Sequence, residues 1–425
     1  MNSGTARQWF AFLESNTTGT GREFCAAARA RGLRPVLLTR DPDRYPYVVE
    51  DAVDTRVLDT SDLTAVVEAC AGLAGGAGLA GITSSSEYFV ADAARAAARL
   101  ALPAPDGDAI AQCRAKDLQR AALAAHGVPV PAWTAVSEVA EAVRAAEAIG
   151  HPVVLKPVSG SGSNGVRLCA DRAETEDWAR RLLDRATDER GNPVPSHILV
   201  EAAVDGPEFS VETFDGDVVT VVGKHTGPEP HFVETGHDIP APVDPGTVAE
   251  LADTALRALK ALGLGWGAAH TEIRRSAEGP VVIEVNPRLA GGMIPVAVRA
   301  ATGTDLVDAV IARAAGQDPT PPEGRAPRAA GHAAVRFVMA AAEGRVTAVG
   351  GVQDAAAAPG VVAATTGTAV GRRVRITHSF QDRLGCVVAT GADTAQAGSR
   401  AESAARLIRI ELDEPVTPEE GNGGR

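Results

Sequence analysis

The sequence predicts a multidomain protein built from α/β and α+β units, and three observations carry that prediction. The chain has 425 residues, whereas one hydrophobic core seldom serves more than roughly 100–200 residues. From Gln8 to about Ala111 short apolar runs alternate with helix-length segments, the pattern of a parallel sheet with right-handed crossovers. Near the other end, the Pro- and Gly-rich run Asp318-Pro-Thr-Pro-Pro-Glu-Gly-Arg-Ala-Pro327 separates a last unit from what precedes it.

Composition narrows the class. With 45% hydrophobic and 22% charged residues, the chain reads as soluble and globular. No apolar stretch approaches the roughly 20 residues that span a bilayer, and the polar start Met1 to Arg7 does not resemble a signal peptide. A formal net charge of -13 disfavours nucleic acid as a partner, because phosphate-backbone affinity comes from clustered Lys and Arg. Cys25, Cys70, Cys113, Cys169 and Cys386 stand singly without a CxxC pair, so they read as buried thiols in a reducing cytoplasm.

In chain order, Trp9–Leu13, Pro35–Thr39, Thr55–Leu58 and Leu79–Thr83 read as strands, and Gly21–Arg31, Leu63–Gly72 and Glu87–Leu100 as helices. The small polar turn Glu14 to Gly21 sits at a strand-to-helix junction, where nucleotide-binding sheets place an anion. It lacks a spaced GxGxxG, so a tight turn with a helix cap is the plainer reading. An amphipathic helix over Arg114–His126 stops at Gly127, and Val128-Pro-Val-Pro131 forces an extended exit and a domain boundary. A helix over Val136–Ile149, a strand His151–Pro157, a glycine loop, a helix near Glu174–Thr187 and a strand His197–Glu201 form a small unit. A longer unit has strands near Phe209–Phe214, Val218–Lys224, Ala268–Arg274 and Val281–Asn286, with helices near Pro245–Leu262 and Thr304–Ala315. The tail from Thr417 to Arg425 has no apolar residue to bury and is expected to fray.

Two constellations carry chemistry. Lys156 ends the apolar run Pro152-Val-Val-Leu-Lys156 directly before Ser159-Gly-Ser-Gly-Ser-Asn-Gly165. Glycines let backbone amides crowd around phosphate oxygens, and a lysine on the adjoining strand adds a compact positive charge. The second constellation is Ala268-Ala-His270-Thr-Glu272-Ile with Val281-Val-Ile-Glu284-Val-Asn286-Pro-Arg288. Alternate residues of a strand share a face, so His270 pairs with Glu272 and Glu284 with Asn286, each flanked by apolar residues facing the other way. Oxygen ligands of this kind suit Mg²⁺ beside nucleotide phosphates.

These residues, in this order from about Arg114 to Gly303, resemble the nucleotide site of the ATP-grasp superfamily. Pro287-Arg-Leu-Ala-Gly-Gly-Met-Ile-Pro295 and Phe232-Val-Glu-Thr-Gly-His-Asp-Ile-Pro240 look most like the L-amino-acid ligases and related carboxylate–amine ligases. The resemblance implies an N-terminal Rossmann-like domain over 1–112, an ATP-grasp domain over 113–320 and a C-terminal α+β domain over 328–415. The ATP-grasp part would divide into a lid of about 131–204 and a catalytic part of about 205–320.

Carried over residue by residue, the resemblance assigns Lys116 and Lys156 to the α- and β-phosphates and Ser159, Gly160, Ser161, Gly162, Ser163 and Gly165 to a flexible phosphate lid. The backbone of Glu201 to Val204 would read adenine, with the Glu201 side chain on its amino group, and Glu208 would hold the ribose. Glu272, Glu284 and Asn286 would bind Mg²⁺, or Mn²⁺ in its place. Arg288 would steady the transferring phosphoryl group, and Glu234 and His237 would lie on the substrate side. Gly291 and Gly292 would present amides to an oxyanion, with Met293 on the acyl pocket, while Trp266 and Phe232 read as core. The implied activity joins a small carboxylic acid, an amino acid above all, to an amine through an acyl phosphate, releasing ADP and phosphate. Paired subunits are common in such a family. A carboxylase of the biotin or aminoimidazole-ribonucleotide type shares the fold, but no added basic cluster for its partner substrate is visible. A nucleotide-binding module without catalysis is the remaining alternative, and the complete set of metal positions with Arg288 argues against it.

Overall fold

The computed structural model describes residues 7–16, 20–187, 193–320 and 329–413. In the N-terminal unit, strands β1 (Trp9–Leu13), β2 (Arg34–Thr39), β3 (Asp54–Val57) and β4 (Leu79–Thr83) run parallel in the order β3-β2-β1-β4. Helices α1 (Thr20–Ala30), α2 (Tyr47–Glu50), α3 (Leu63–Ala74) and α4 (Val90–Arg99) connect or follow them. The fully buried run Phe10 to Leu13 shows why β1 is central: both of its faces are covered. The turn after β1 is filled by its own side chain. Glu14 is buried and accepts hydrogen bonds from the hydroxyls of Thr39, Tyr45 and Thr60, each at 2.8 Å. A buried carboxylate there disfavours an anion, so the structure supports the plainer reading of this turn; residues 17–19 lie outside the described residues.

Two short helices follow, α5 (Gly107–Arg114) and α6 (Lys116–Ala125). The helix expected from Arg114 starts at Lys116 because Ala115 is extended, with φ -89° and ψ 102°. The unit expected as the lid is a four-stranded antiparallel sheet made of β5 (Trp133–Val136), β6 (Val153–Pro157), β7 (Arg167–Cys169) and β8 (Ile198–Ala202), in the order β5-β8-β6-β7. Helices α7 (Val139–Ile149) and α8 (Arg172–Leu183) back it. The expected helix from Val136 begins three residues later, because Trp133–Val136 pairs with β8 as a strand.

Eight of the remaining strands form one sheet, in the order β13-β12-β9-β10-β11-β14-β18-β16. Its first part contains β9 (Glu208–Phe214), β10 (Asp217–Thr226), β11 (Glu234–Ile239), β12 (Ala268–Ser276) and β13 (Gly279–Asn286), with helices α9 (Pro245–Ala261), α10 (Ile294–Thr302) and α11 (Leu306–Ala314). Its second part contains β14 (His332–Met339), β16 (Val361–Thr366) and β18 (Arg383–Gly391). Beside them lie β15 (Gly344–Gly350), α12 (Val352–Ala356), β17 (Arg373–Val374), α13 (Thr394–Ala405) and β19 (Arg409–Leu412), with β17-β15-β19 as a small separate sheet. The C-terminal unit expected over 328–415 is therefore joined to the preceding one edge to edge, through the β11–β14 pairing. Residues 321–328 of the expected linker, and the tail after Asp413, lie outside the described residues.

Strand alternation sorts the large sheet into two faces. Val211, Ile273 and Val285 point into a core with Leu251, Ala255 and Leu259 of α9, which leaves Ser210, Glu212, Glu272 and Glu284 on the opposite face. All five cysteines are free and buried, and burial pushes the Cys25, Cys70, Cys113 and Cys169 thiols up to about 12. Among the described residues no helix is long and apolar enough to cross a membrane.

Candidate active site

A cleft of about 240 Å³ lies between the lid sheet and the large sheet. Its roof is the loop between β6 and β7, where Gly160, Gly162 and Gly165 have φ of 122°, 63° and 78°, a region side chains rarely enter. Ser163 joins them at φ 60°, and its hydroxyl donates to the Phe232 carbonyl at 2.7 Å. At the end of β6, the buried Lys156 Nζ lies 2.7 Å from Glu201 Oε2. Arg120 of α6, fully buried, brings its Nε to 3.0 Å from the other Glu201 oxygen. Glu201, the residue expected near an adenine amino group, is thus engaged by two cations and still lines the cleft. Burial lowers Lys156 to about 8 despite Glu201. Lys116 opens α6 and bridges roof and floor, donating to the Gly160 carbonyl at 2.9 Å and lying 3.1 Å from Glu284 Oε1.

The floor comes from β9, β12 and β13. Glu272 stands directly opposite Glu284, and His270 opposite Asn286, so the expected shared face is realised across two adjacent strands. Lys224 of β10 is the hub beside them. Its Nζ lies 2.8 Å from Glu208, 2.5 Å from Glu234 and 3.1 Å from Glu272. Burial works against that charge, yet the three carboxylates hold the ammonium well above its usual pKa. Burial likewise opposes ionisation of Glu272, but Lys224 and His270 outweigh it and keep the carboxyl well below its usual range. His270 Nδ1 lies 2.7 Å from Glu212 Oε1; burial opposes its charge, and Glu212 and Glu272 lift it to about 9. Arg274 donates to Glu208 at 3.1 Å and to the Val204 carbonyl at 2.8 Å, tying the expected adenine hinge to the expected ribose ligand.

The donor chemistry fits a hard divalent cation. Glu272, Glu284 and Asn286 offer only oxygen-type ligands on one face, and among the described residues no group of three His, Cys, Asp or Glu forms a ready cation cage. A cation here would complete its shell from phosphate oxygens and water, as Mg²⁺ prefers.

Of the other expected site residues, Glu234 lines the cleft, Arg288 lines a small cavity beside it, and His237 is buried next to Glu234. Arg288 Nη2 lies 2.5 Å from Glu87 Oε2, next to a small cavity of about 20 Å³ that Glu284, Asn286 and Gly160 also line. His237 is fully buried, and neither ring nitrogen has a hydrogen-bond partner among the described residues. Its ring meets Phe337 edge-on at 5.6 Å, and burial lowers it to about 3. A Cβ on Gly292, whose φ is +60°, would come within 2.9 Å of His237 Nε2, so only glycine leaves this imidazole its room. Glu234 is held with Lys224 on one side and Arg383 Nη2 at 2.6 Å on the other. Met293, expected on the acyl pocket, packs at the edge of the core around Ile294 and Val335. Phe232 corrects the sequence reading, since it lines the cleft with the Arg274 guanidinium 5.1 Å from its ring centre. Trp266 packs against the N-terminal core as expected.

Sequence reasoning overlooked Glu87, Arg120, Phe337 and Arg383, and placed Lys224 only within the polar stretch expected over the substrate carboxylate. Arg120 had a signal, because Lys116, Arg120 and Leu123 share one helix face. Glu87 and Arg383 had none, because their partners lie 201 and 149 positions away in the chain.

Comparison with known proteins agrees with this geometry. The family model for the ATP-grasp domain matches residues 149–296, the ATP-grasp N-terminal domain 25–104 and the L-amino acid ligase C-terminal domain 2 residues 336–413. The chain is 36% identical over 396 residues to protein y4rH of Sinorhizobium fredii, covering 93% of this chain and 81% of that one. It is 30% identical over 236 residues to the alanine–anticapsin ligase of Bacillus subtilis, covering 50% of this chain and 49% of that one. With carnosine synthase 1 of Gallus gallus the identity is 31% over 193 residues, 43% of this chain and 21% of the other. The chain thus spans about half or less of these named ligases. The crystal structure of an L-amino acid ligase from Bacillus licheniformis superposes with a TM-score of 0.79 at 22% identity, covering 96% of this chain and 99% of that one. The chain belongs to the ATP-grasp family of ligases and, within it, is similar to the L-amino-acid ligases.

Proposed function

We propose that the protein is an ATP-dependent ligase that activates the carboxylate of an amino acid as an acyl phosphate and passes it to an amine, releasing ADP and phosphate. The observation that carries this reading is the adjacency of two differently charged compartments. Lys116, Lys156 and the glycine loop face the carboxylate pair Glu272 and Glu284 in the cleft, and the Arg288–Glu87 pair lies immediately beyond. A guanidinium beside a carboxylate complements a zwitterion, whose carboxylate and ammonium would exchange partners with Arg288 and Glu87. The relatives named for joining alanine or forming carnosine support an amino-acid substrate.

On this reading Lys116 and Lys156 hold phosphate oxygens, and the loop excludes water above them. Glu272, Glu284 and Asn286 would hold Mg²⁺, which neutralises charge on the transferring phosphoryl group when bound. Arg288 orients the substrate carboxylate, whose oxygen attacks phosphorus itself, so no side chain acts as a nucleophile. With a pKa near 3, His237 is a poor general base at neutral pH. Its unpaired nitrogens suit it instead to hydrogen-bond the acid or the amine.

An amino-acid matrix assayed for ATP-dependent phosphate release tests the proposal. Release that needs a pair of amino acids supports it, and release that needs bicarbonate but no amino acid would favour a carboxylase.

A further inference from the structure

Besides Lys116 on the Gly160 carbonyl, the glycine loop over the cleft is held from three further directions. Ser163 donates to the Phe232 carbonyl at 2.7 Å from the large-sheet side. Trp178 of α8 donates its indole N–H to the Gly165 carbonyl at 3.1 Å. The third hold comes from the C-terminal unit, where the Phe380 amide donates to the Gly162 carbonyl at 3.0 Å. The Phe380 ring fills the space beside Gly162, so closely that a Cβ there would come within 2.4 Å of Phe380 Cδ1.

The segment carrying Phe380 is preformed. Asp382, buried, accepts from the Thr377 amide and hydroxyl, both at 2.8 Å. The buried Ser379 hydroxyl accepts from the Gln381 amide at 3.3 Å. The turn is sewn to the large sheet, because Asp382 accepts from the Ala340 amide at 2.7 Å and Arg383 begins β18. A second contact braces it: His378 stacks on His231 with ring centres 3.9 Å apart and planes within 5°, and His231 meets Trp178 edge-on at 6.1 Å. One turn of the C-terminal unit therefore touches the roof loop, the lid helix's tryptophan through His231, and, through Arg383, the Glu234 carboxylate of the cleft.

We infer that the turn 377–382 latches the phosphate loop and that Phe380 is a positioning residue for it. The inference rests on the ligase reading above. A loop with three glycines at positive φ has many open states, and closing it over phosphates costs conformational entropy. A rigid turn already docked on Gly162 removes part of that cost and keeps water from the acyl phosphate while the amine arrives. Because the same turn continues into Arg383, the latch also links the closed roof to Glu234.

The test uses the full-length protein and the Phe380→Ala and Phe380→Leu variants, with thermal midpoints recorded to establish that each is folded. Phe380 is half-buried on a surface turn, so truncation should leave the cores intact. For Phe380→Ala the expected result is a rise of about tenfold in KM for ATP and phosphate released in excess of amide formed, as water intercepts the acyl phosphate. Faster proteolytic cleavage at residues 159–165 should accompany it, and Phe380→Leu should restore most of the coupling. Parental KM and one phosphate per amide in a folded Phe380→Ala protein would overturn the latch. A parent protein that neither binds ATP nor releases phosphate with any amino-acid pair would overturn the ligase reading instead.

Discussion

The Lys156 ammonium lies 2.7 Å from Glu201 Oε2, in a site where burial lowers the lysine to about 8. If Lys156 binds ATP phosphates in its charged form, affinity holds below that pH and weakens above it, by up to about tenfold per pH unit until the pKa of the bound state is reached. Calorimetric titrations with ATP between about pH 7 and pH 9 should show this fall in the parent. Lys156→Ala should bind roughly 10- to 150-fold more weakly, the loss of one charge-assisted contact of about 1.5–3 kcal/mol, and should not show the fall. Unchanged affinity in the variant would remove Lys156 from the site.

Lys224 offers a test of charge balance. Its side chain is 1% exposed, and its ammonium lies within 3.1 Å of Glu208, Glu234 and Glu272. Lys224→Met leaves three carboxylates without their common cation, which should cost about 3–5 kcal/mol. Adding Glu234→Gln removes one of those charges and should recover part of the loss. Thermal unfolding of the parent and both variants measures this; a double variant no more stable than the single one would show that Glu234 is not balanced by Lys224.

Much of this site was legible because strand chemistry is local. The period of two in Ala268–Ile273 and Val281–Asn286 assigned His270, Glu272, Glu284 and Asn286 to one face, and the β12–β13 register bears that out. The Lys156 strand and its glycine loop were legible for the same reason. What escaped was non-local. Phe380 acquires meaning only because Gly162 lies beside it, and Glu87 only because Arg288 reaches it. The strand Glu234–Ile239 hid behind its polar residues: Glu234, His237 and Asp238 are paired or buried within the fold, so the expected apolar alternation is missing. Continuity of the large sheet into the C-terminal unit depends on the β11–β14 pairing, which no local pattern signals.

His237 predicts a pH effect on stability with a definite sign. Burial lowers its pKa to about 3, against an unfolded value of about 6.5. Between those values the unfolded chain binds the extra proton, so the stability contributed by neutral His237 is fully present above about pH 6.5 and is lost as pH falls toward 3. From about pH 6.5 to 4.5 this one group should cost roughly 2 kcal/mol. His237→Gln, which does not titrate, should flatten the thermal midpoint over that range; an unchanged acid slope would assign the loss to other groups.

Glu284 faces Glu272 across the strand pair and touches Lys116 at 3.1 Å. Glu284→Gln keeps the shape and removes the charge, so turnover should drop by about 100-fold or more, with a higher Mg²⁺ concentration needed for half-maximal rate. Turnover within about threefold of the parent would sink the metal assignment.

The nature of the intermediate separates the proposed ligase from its alternatives. On the proposed reading, Lys116 and Lys156 under the glycine loop and Glu272, Glu284 and Asn286 on the strands below would meet at the phosphate end of the nucleotide. Such an arrangement favours attack at the terminal phosphorus, where charge spreads over the transferred group, rather than at the α-phosphorus. An acyl phosphate formed there must wait for an amine, and hydroxylamine supplied in excess should intercept it. The expected products with a suitable amino acid are then a hydroxamate, ADP and phosphate in equal amounts, with no AMP or pyrophosphate. Tight ATP binding without hydrolysis under every substrate set would make the protein a nucleotide-binding module. Stoichiometric AMP would defeat the acyl-phosphate reading whatever acid was used, because it would mean that the carboxylate attacks the α-phosphorus, on the far side of the β-phosphate from the group the proposed reaction transfers.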